Sequence, residues 1–238
     1  MTVVAIHQPN YMPWLGYFWK IARADVFVLL DDVQYSKGSY INRTRILGAD
    51  GAPRWLSVPV SARLGDAINR VRPAAPSWPQ RHLDVLRPGY RRARSFTETW
   101  PEIASLYEHL PESDLAGGNR LLIERLCDVL ELPRRFVLSS SLATDDAVGD
   151  DRLVRIVEAV APGGTYLSGR GGRGYQDERK FRDAGLRLVY TDFTHPEYTQ
   201  WAGSFVSGLS ILDALFHCGR VAVSGWLRRA TSGAGAFA

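Results

Sequence analysis

The fold of this chain is constrained most by a strand–helix–strand pattern at residues 3–32. The run from Val3 to Ile6 is short and rich in β-branched residues, which predicts a buried strand. Residues 14–24 place apolar side chains at three- and four-residue spacing, which predicts a helix. A second apolar run then ends on Asp31 and Asp32. Two buried strands joined by a helix are typical of a parallel pair, so the chain starts as a βαβ unit.

The remainder of the chain alternates strands and helices around one helical stretch. Two short strands are predicted at residues 39–47 and 54–61, joined by a turn at Asp50 and Gly51. After residue 135, strands alternate with helices, and the last helix, SILDALFHCG, should stop at Gly219. We therefore predict the α/β class, with a mainly parallel sheet flanked by helices. We assign residues 3–230 to a single domain and residues 231–238 to a flexible tail.

The helical stretch is predicted as an insert at about residues 79–132, in the middle of the chain. Its apolar spacing is helical throughout, and residues 119–132 show it most clearly. Proline and glycine interrupt helices, so three pieces are expected. The expected breaks are Pro88–Gly89, Pro111 and Gly117–Gly118.

Charge and cysteine content exclude several function classes. The net charge is +4 over 238 residues, and arginines are spread along the whole chain rather than on one stripe, which does not favour a nucleic-acid partner. The two cysteines, Cys127 and Cys218, form neither a disulfide framework nor a zinc motif, and no metal site is predicted. No signal peptide and no apolar run of membrane-spanning length are found, so we predict a cytoplasmic protein without membrane attachment.

A polar loop follows the first strand with the sequence His7, Gln8, Pro9, Asn10, Tyr11. Ligands of open α/β sheets bind at the carboxyl ends of the strands, so His7 should point into that crevice. Proline stiffens the loop, and so many polar groups are costly to bury without partners. We predict His7 as a general acid or base, with Gln8, Asn10 and Tyr11 binding substrate. The alternative is a helix-capping loop whose polar groups bind backbone.

Six segments, in order over about residues 3–219, resemble the WbqC-like family of bacterial proteins. They are IHQPNYMPWLGYF, LLDDVQY, NRTRI, YLSGRGGRGY, HPEYTQ and LSILDALF. The resemblance implies a role in tailoring an amino sugar or a related small metabolite of surface polysaccharides or secondary products. Many members read FN-x-G where this chain has Phe216, His217, Cys218 and Gly219. The residues of interest by resemblance are His7, Gln8, Pro9, Asn10, Tyr11, Asp31, Asp32, Asn42, Arg43, Ser168, Gly169, Tyr175, His195, Tyr198 and Gln200.

The second predicted strand ends on a pair of carboxylates. Adjacent strand residues face opposite ways, so one of Asp31 and Asp32 should point at His7 and raise its basicity. Asn42 and Arg43 then suit an oxyanion or a phosphate. The alternative is that the aspartates start a turn and that Arg43 pairs with them.

A glycine-rich segment between a strand and a helix imitates a dinucleotide fingerprint. Gly169 and Gly171 begin a G-x-G-x-x-G pattern, but no complete dinucleotide-binding half follows it. We predict instead an anion site made by backbone N–H groups with Arg170 and Arg173. The alternative is a flexible loop with solvated arginines. Ser168 and Tyr175, at its two ends, are assigned to substrate binding.

A second polar loop, DFTHPEYTQW, follows a later strand at its carboxyl end. We predict His195 as a second acid or base, with Tyr198 and Gln200 as substrate donors, and the similar sequences of the two loops suggest that they meet over one crevice. The alternative is a structural histidine. Neither a cysteine nucleophile nor a serine triad is indicated. His82 and His109 lie in helical stretches expected to be exposed and receive no role.

These patterns favour a transferase that joins an acyl or aminoacyl group to an amine of a small molecule. His7 would take the proton from the amine, and no covalent enzyme intermediate is expected. The donor would be a thioester or a nucleotide-linked compound, while no cofactor or oligomeric state is identified. One alternative is a nucleotidyltransferase-like enzyme with an H-x-G-H loop, although Asn10 stands where its second histidine is expected. Another is a non-catalytic binding or scaffold protein of a biosynthetic pathway.

Overall fold

The computed structural model describes residues 1–110, 114–144 and 147–232, with side chains through Arg229. Five parallel strands form the central sheet, so the α/β prediction is confirmed. Three short 3₁₀ helices lie at Ile68–Arg70, Ser139–Ser141 and Arg170–Gly174. The other elements are β1 (Val3–His7), α1 (Leu15–Ala22), β2 (Val26–Leu29), β3 (Arg43–Leu47), β4 (Pro53–Ser57), β5 (Val60–Ser61), β6 (Arg72–Pro73), α2 (Trp78–Tyr90), α3 (Phe96–Leu106), α4 (Leu115–Val129), β7 (Phe136–Leu138), α5 (Gly149–Val160), β8 (Thr165–Ser168), α6 (Glu178–Asp183), β9 (Arg187–Tyr190) and α7 (Ile211–Ser232).

The strand order of the sheet is β7-β2-β1-β8-β9. Numbered along the chain, this is the order 3-2-1-4-5, which is that of a doubly wound sheet. The chain first builds outward from β1 through β2 to β7 and then returns to the other side of β1 with β8 and β9. Connections leave β1 and β8 in opposite directions, and a crevice opens between their carboxyl ends.

The sheet separates two hydrophobic cores because side chains alternate along each strand. Val4 and Ile6 of β1 face a smaller core that includes residues of α5 and α6. Ala5 faces a larger core to which α1, α2, α3, α4 and α7 contribute. Both faces of the central strands are covered, which explains why β2 is apolar at every position, with no polar alternation.

Two small antiparallel pairs lie outside the sheet. The predicted hairpin is confirmed as β3 and β4, with Gly51 in its turn at a φ of 81°. A second pair joins β5, at Val60–Ser61, to β6, at Arg72–Pro73. None of the helices in the described ranges is long and apolar enough to cross a membrane.

The helical insert contains three helices, but two of the three predicted breaks are wrong. Pro88 and Gly89 lie inside the last turn of α2. A Cβ at position 89 would meet the Leu47 carbonyl oxygen at 2.6 Å, so the glycine lets α2 approach β3 closely. Gly117 lies in the first turn of α4 and donates its N–H to the capping carboxylate of Asp114. The predicted break at Pro111 lies outside the described residues.

The last helix is interrupted, not terminated, at Gly219. The backbone there has φ 76° and ψ 162°, and a second helical segment continues to Ser232. The glycine does break the helix, as predicted, but the chain resumes helical geometry after it. Residues 233–238 of the predicted tail lie outside the described residues.

Candidate functional site

A cleft of about 700 Å³ lies between the carboxyl ends of β1 and β8. This is the position at which doubly wound sheets bind their ligands. Its walls come from the end of β1, from α1, from the loop after β2, from the start of α5 and from the glycine-rich segment after β8. The lining residues are Ile6, His7, Gln8, Lys20, Leu30, Val33, Gly149, Asp150, Arg152, Leu153, Tyr166, Ser168, Gly169, Gly171, Gly172, Tyr175 and Gln176.

His7 ends β1 and lines the cleft, as predicted. Its ring packs edge-on against Trp14 and Tyr17, at centroid distances of 5.8 and 4.8 Å. Burial and the nearby charge of Lys20 lower the pKa of His7 to about 3. The imidazole is therefore neutral at neutral pH. Its Nδ1 lies 3.2 Å from the Gln8 carbonyl oxygen, which can only accept, so Nδ1 carries the proton and Nε2 is left as an acceptor.

Lys20 projects from α1 to the same cleft and was not predicted. Only 4% of the residue is exposed, and Nζ donates a hydrogen bond of 2.8 Å to the Ile6 carbonyl oxygen. No carboxylate within the described ranges pairs with it. Burial lowers the pKa of this amine to about 7. A lysine in this state exchanges a proton readily near neutral pH, which is a property of catalytic bases.

The carboxylates after β2 bind groups other than His7, so the predicted contact of one of them with His7 is wrong. Asp32 forms an ion pair of 2.6 Å with Arg152, which lines the cleft. Asp31 accepts hydrogen bonds from the backbone N–H of Ser140 at 3.0 Å and from its hydroxyl at 2.7 Å. Ser139 bridges both aspartates through its hydroxyl. The pair thus joins the ends of β2 and β7 and orients Arg152 at the cleft.

The glycine-rich segment forms part of the cleft, but only half of the predicted anion site faces it. Gly169 and Gly171 line the cleft, whereas Arg170 and Arg173 do not, and Arg173 lies over the Tyr190 ring at 5.1 Å. The segment forms a 3₁₀ helix, and α6 begins only at residue 178. No long helix therefore starts at the glycines as it does in a dinucleotide-binding fold.

The end of β8 and the 3₁₀ helix are joined tightly. Ser168 donates its hydroxyl proton to Gln176 Oε1 at 2.8 Å. A Cβ at position 172 would lie 2.4 Å from Gln176 Oε1 and 2.6 Å from Ser168 Oγ, so a larger residue there would force these two side chains apart. Tyr175 lines the cleft and is 77% exposed, which places it at the mouth.

The second polar loop does not reach the cleft. His195 is in contact with Phe193, Tyr198 and Phe205, and its Nδ1 donates to the Pro196 carbonyl oxygen at 2.9 Å. The loop after β9 is bonded to α7 through Tyr198 and Gln200, and none of its residues lines the cleft with His7, so the expected meeting does not occur. The prediction of one shared crevice is wrong.

The remaining residues of this loop anchor it to α7. Tyr198 and Gln200 both donate hydrogen bonds to Oδ2 of the fully buried Asp213, at 2.8 and 2.7 Å. His217 donates from Nδ1 to the Asp213 carbonyl oxygen at 2.8 Å and accepts the Trp201 N–H at 3.2 Å. Except for Asp213 Oδ1, which has no hydrogen-bond partner, these groups satisfy each other inside the protein, which is a structural role.

Tyr11 lies in the core, so its predicted contact with substrate is wrong. Its hydroxyl is 2.7 Å from Nδ1 of His82 and 2.8 Å from the hydroxyl of Tyr107. His82 is only 5% exposed, contrary to expectation, because the β3–β4 hairpin covers α2 and the Ser57 carbonyl oxygen lies 3.0 Å from Nε2. The helical sequence pattern of α2 alone does not show that the β3–β4 hairpin covers it.

Three further predicted residues do not line the cleft. Asn10 is buried, and Asn42 donates to the Val58 carbonyl oxygen at 3.1 Å. Arg43 stacks on the Trp55 ring at 4.0 Å and pairs with neither aspartate. Within the part of the chain that the structure describes, no group of three or more metal-ligating side chains occurs.

Comparison with known proteins places the chain in a family. The profile of the WbqC-like protein family matches residues 8–224. The uncharacterized protein Rv1507c of Mycobacterium tuberculosis is 34% identical over 222 residues, which cover 92% of this chain and 95% of that protein. No solved structure matches the chain. With the family profile spanning nearly all of the fold and its cleft, the chain belongs to the WbqC-like protein family.

Proposed function

We propose that this protein is an enzyme that transfers an acyl or aminoacyl group to an amine of a small molecule. The observation that carries the proposal is the buried amino group of Lys20 in the cleft between β1 and β8. Its pKa is about 7, and it forms one hydrogen bond to the backbone. Carrying an unpaired buried amine costs stability, and strongly shifted pKa values are concentrated at functional sites. The proton acceptor is thus Lys20, and not His7 as the sequence suggested.

The transfer proceeds by direct attack. The substrate amine adds to the acyl carbon, and the neutral amino group of Lys20 takes a proton from the nitrogen of the tetrahedral adduct. The bond between the acyl carbon and the leaving group then breaks, and Lys20 returns the proton to the departing thiolate or oxygen. His7 stays neutral throughout, and its free Nε2 accepts a hydrogen bond from the incoming amine.

The donor is held by the opposite wall of the cleft. Arg152, oriented by Asp32, binds a negative group of the donor. Backbone N–H groups at Gly169 and Gly171 are close to the same space and suit an oxyanion. A thioester or a nucleotide-linked donor matches this combination of one cation and several backbone donors.

The test uses ligand binding and turnover in parallel. Wild type, Lys20→Met and the control Lys180→Met, whose lysine pairs with Asp151 at the surface, are screened by thermal shift against acyl-thioesters, nucleotides and nucleotide sugars. A donor at a hundredfold excess over its Kd stabilises by about 2.7 kcal/mol. We expect Lys20→Met to bind that donor yet to lose about a hundredfold or more in turnover, whereas Lys180→Met keeps both. Full turnover by Lys20→Met would refute the role of the lysine.

A second candidate function is nucleotide-dependent chemistry. The strand order of the sheet is that of dinucleotide-binding proteins, and the cleft lies at the same topological position. The ATP and nucleotide arms of the same thermal-shift screen separate the two candidates. Stabilisation by nucleotides and by no acyl donor would support this alternative, while indifference to every nucleotide would contradict it.

A further inference from the structure

A second cavity, of about 310 Å³, opens on the far side of the loop that follows β2. One part of its lining is aliphatic, and the other carries the positively charged side chains of Lys37 and Arg63. The residues that line it are Tyr35, Lys37, Val60, Ala62, Arg63 and Leu64. None of them lines the cleft between β1 and β8.

The positive charges of this cavity are not neutralised by ion pairs. Within the described ranges, neither Lys37 nor Arg63 has a carboxylate partner. The acid of the loop, Asp66, accepts the backbone N–H of Arg63 at 2.6 Å, which holds the loop in shape. Converging cations in a concave wall concentrate positive potential, so the cavity attracts anions.

A third cation, Arg43, lies near Tyr35 but outside the lining of the cavity. The guanidinium of Arg43 lies flat between the Trp55 ring, at 4.0 Å, and Gly38, where an added Cβ would meet its Nη2 at 3.4 Å. Its Nε is buried without a hydrogen-bond partner. Burial raises the pKa of the Tyr35 hydroxyl, while the charge of Arg43 and the backbone of Gly38 oppose that rise.

Tyr35 is only 8% exposed, and its buried hydroxyl also lacks a hydrogen-bond partner of normal geometry. Buried polar groups are nearly always hydrogen-bonded, so the Tyr35 hydroxyl, which belongs to a residue of the cavity lining, is suited to bind a polar group of a ligand. A phosphate has several acceptor oxygens and two negative charges near pH 7, which suits the two unpaired cations of the lining, Lys37 and Arg63, better than a single carboxylate does.

The aliphatic part of the lining adds a second requirement. Val60, Ala62 and Leu64 form it, and Leu64 is 99% exposed at the tip of its loop. A fully exposed leucine beside a cavity gains by packing against an apolar portion of a ligand. We propose that this cavity is a second binding site, specific for a small molecule that carries a phosphate next to an apolar arm.

The experiment compares simple probes by isothermal titration calorimetry. Hexyl phosphate carries both features, whereas hexanol and inorganic phosphate carry one each. We expect hexyl phosphate to bind about tenfold more tightly than either single-feature probe. The double variant Lys37→Gln/Arg63→Gln, whose side chains are exposed and leave the fold intact, should weaken it about tenfold or more, since a hydrogen bond to a charged group contributes that much. Arg54→Gln, in the neighbouring hairpin and already paired with Asp50, is the matched control and should keep the affinity.

The outcomes distinguish this site from the cleft. Binding of hexyl phosphate that persists in Lys20→Met but weakens in Lys37→Gln/Arg63→Gln supports the proposal, whatever chemistry the cleft performs. Binding that is lost in Lys20→Met and unchanged in the double variant would place the anion in the cleft and overturn the proposal. No binding of hexyl phosphate would also overturn it.

Discussion

Replacing Lys20 by methionine tests the energetic basis of the proposed catalytic role without any knowledge of the substrate. Methionine has a similar length and no charge, so it fills the space while removing the ionisable group. The pKa of Lys20 falls from 10.5 to about 7 in the fold. Since a tenfold change in proton affinity corresponds to about 1.4 kcal/mol, holding the charged form inside the protein costs about 5 kcal/mol.

Lys20→Met removes this cost of burying a charge but introduces a smaller cost of its own. The Ile6 carbonyl oxygen loses the hydrogen bond from Nζ, and a buried acceptor without a partner costs about 1 to 3 kcal/mol. We therefore expect Lys20→Met to be more stable than wild type by about 2 to 4 kcal/mol at pH 6. This is the opposite of what most core substitutions do.

The pH dependence gives the sharper test. The pKa of the folded state is the lower one, so between pH 7 and 10.5 the unfolded chain carries a proton that the folded chain lacks. Wild-type stability then rises with pH relative to the variant, by about 1.4 kcal/mol for each step of one pH unit. The advantage of Lys20→Met is largest below pH 7 and disappears by about pH 9.5.

Urea denaturation of both proteins at pH 6, 7, 8 and 9 measures this difference. Groups that Lys20 does not influence contribute equally to both proteins, and the pKa of His7, about 3, lies well below this range. Lys37→Met, which replaces an exposed lysine by the same residue, is the control. A stability difference for Lys20→Met that does not change with pH would refute the assignment of a depressed pKa. A variant less stable than wild type at pH 6 would refute the cost of burial itself.

Three further predictions concern other parts of the site and the core. The ring signals of His7 should not titrate between pH 5 and 8 in NMR spectra, assigned with His7→Gln, because its pKa is about 3; a midpoint near 6.5 would contradict this. Tyr11→Phe should lower the free energy of unfolding in urea by about 1 to 3 kcal/mol, since two buried partners lose a hydrogen bond; unchanged stability would contradict it. Gly172→Ala should lower the melting temperature because its Cβ would meet Ser168 Oγ at 2.6 Å, while Gly171→Ala, with open space around it, should not.

The local parts of the fold could be predicted from sequence because their signals are local. The parallel pairing of β1 with β2 followed from two apolar runs and one amphipathic helix, and the β3–β4 hairpin followed from its Asp50–Gly51 turn. The position of His7 at a strand end followed from the same pattern. The strand order did not, since nothing near β8 in sequence says that it pairs with β1.

The errors at the site have one physical origin, which is long-range packing. The role of Asp32 depends on Arg152, which follows it by more than half of the chain. The burial of His82 depends on a hairpin that precedes it. Lys20 did leave a signal, because it is the only charged residue in the stretch LGYFWKIA, and a cation on a helix that is apolar all round has no solvated face to occupy.

The position of β1 in the middle of the sheet has a consequence for biosynthesis. Val4 pairs with Val26 on one side and with Tyr166 on the other. During synthesis on the ribosome, the edge of this apolar strand that pairs with β8 therefore has no partner until most of the protein has been made. An unpaired hydrophobic edge is a template for association with other chains. Newly made polypeptide should accordingly depend on chaperones more than its modest length suggests, and fragments that end before β8 should aggregate.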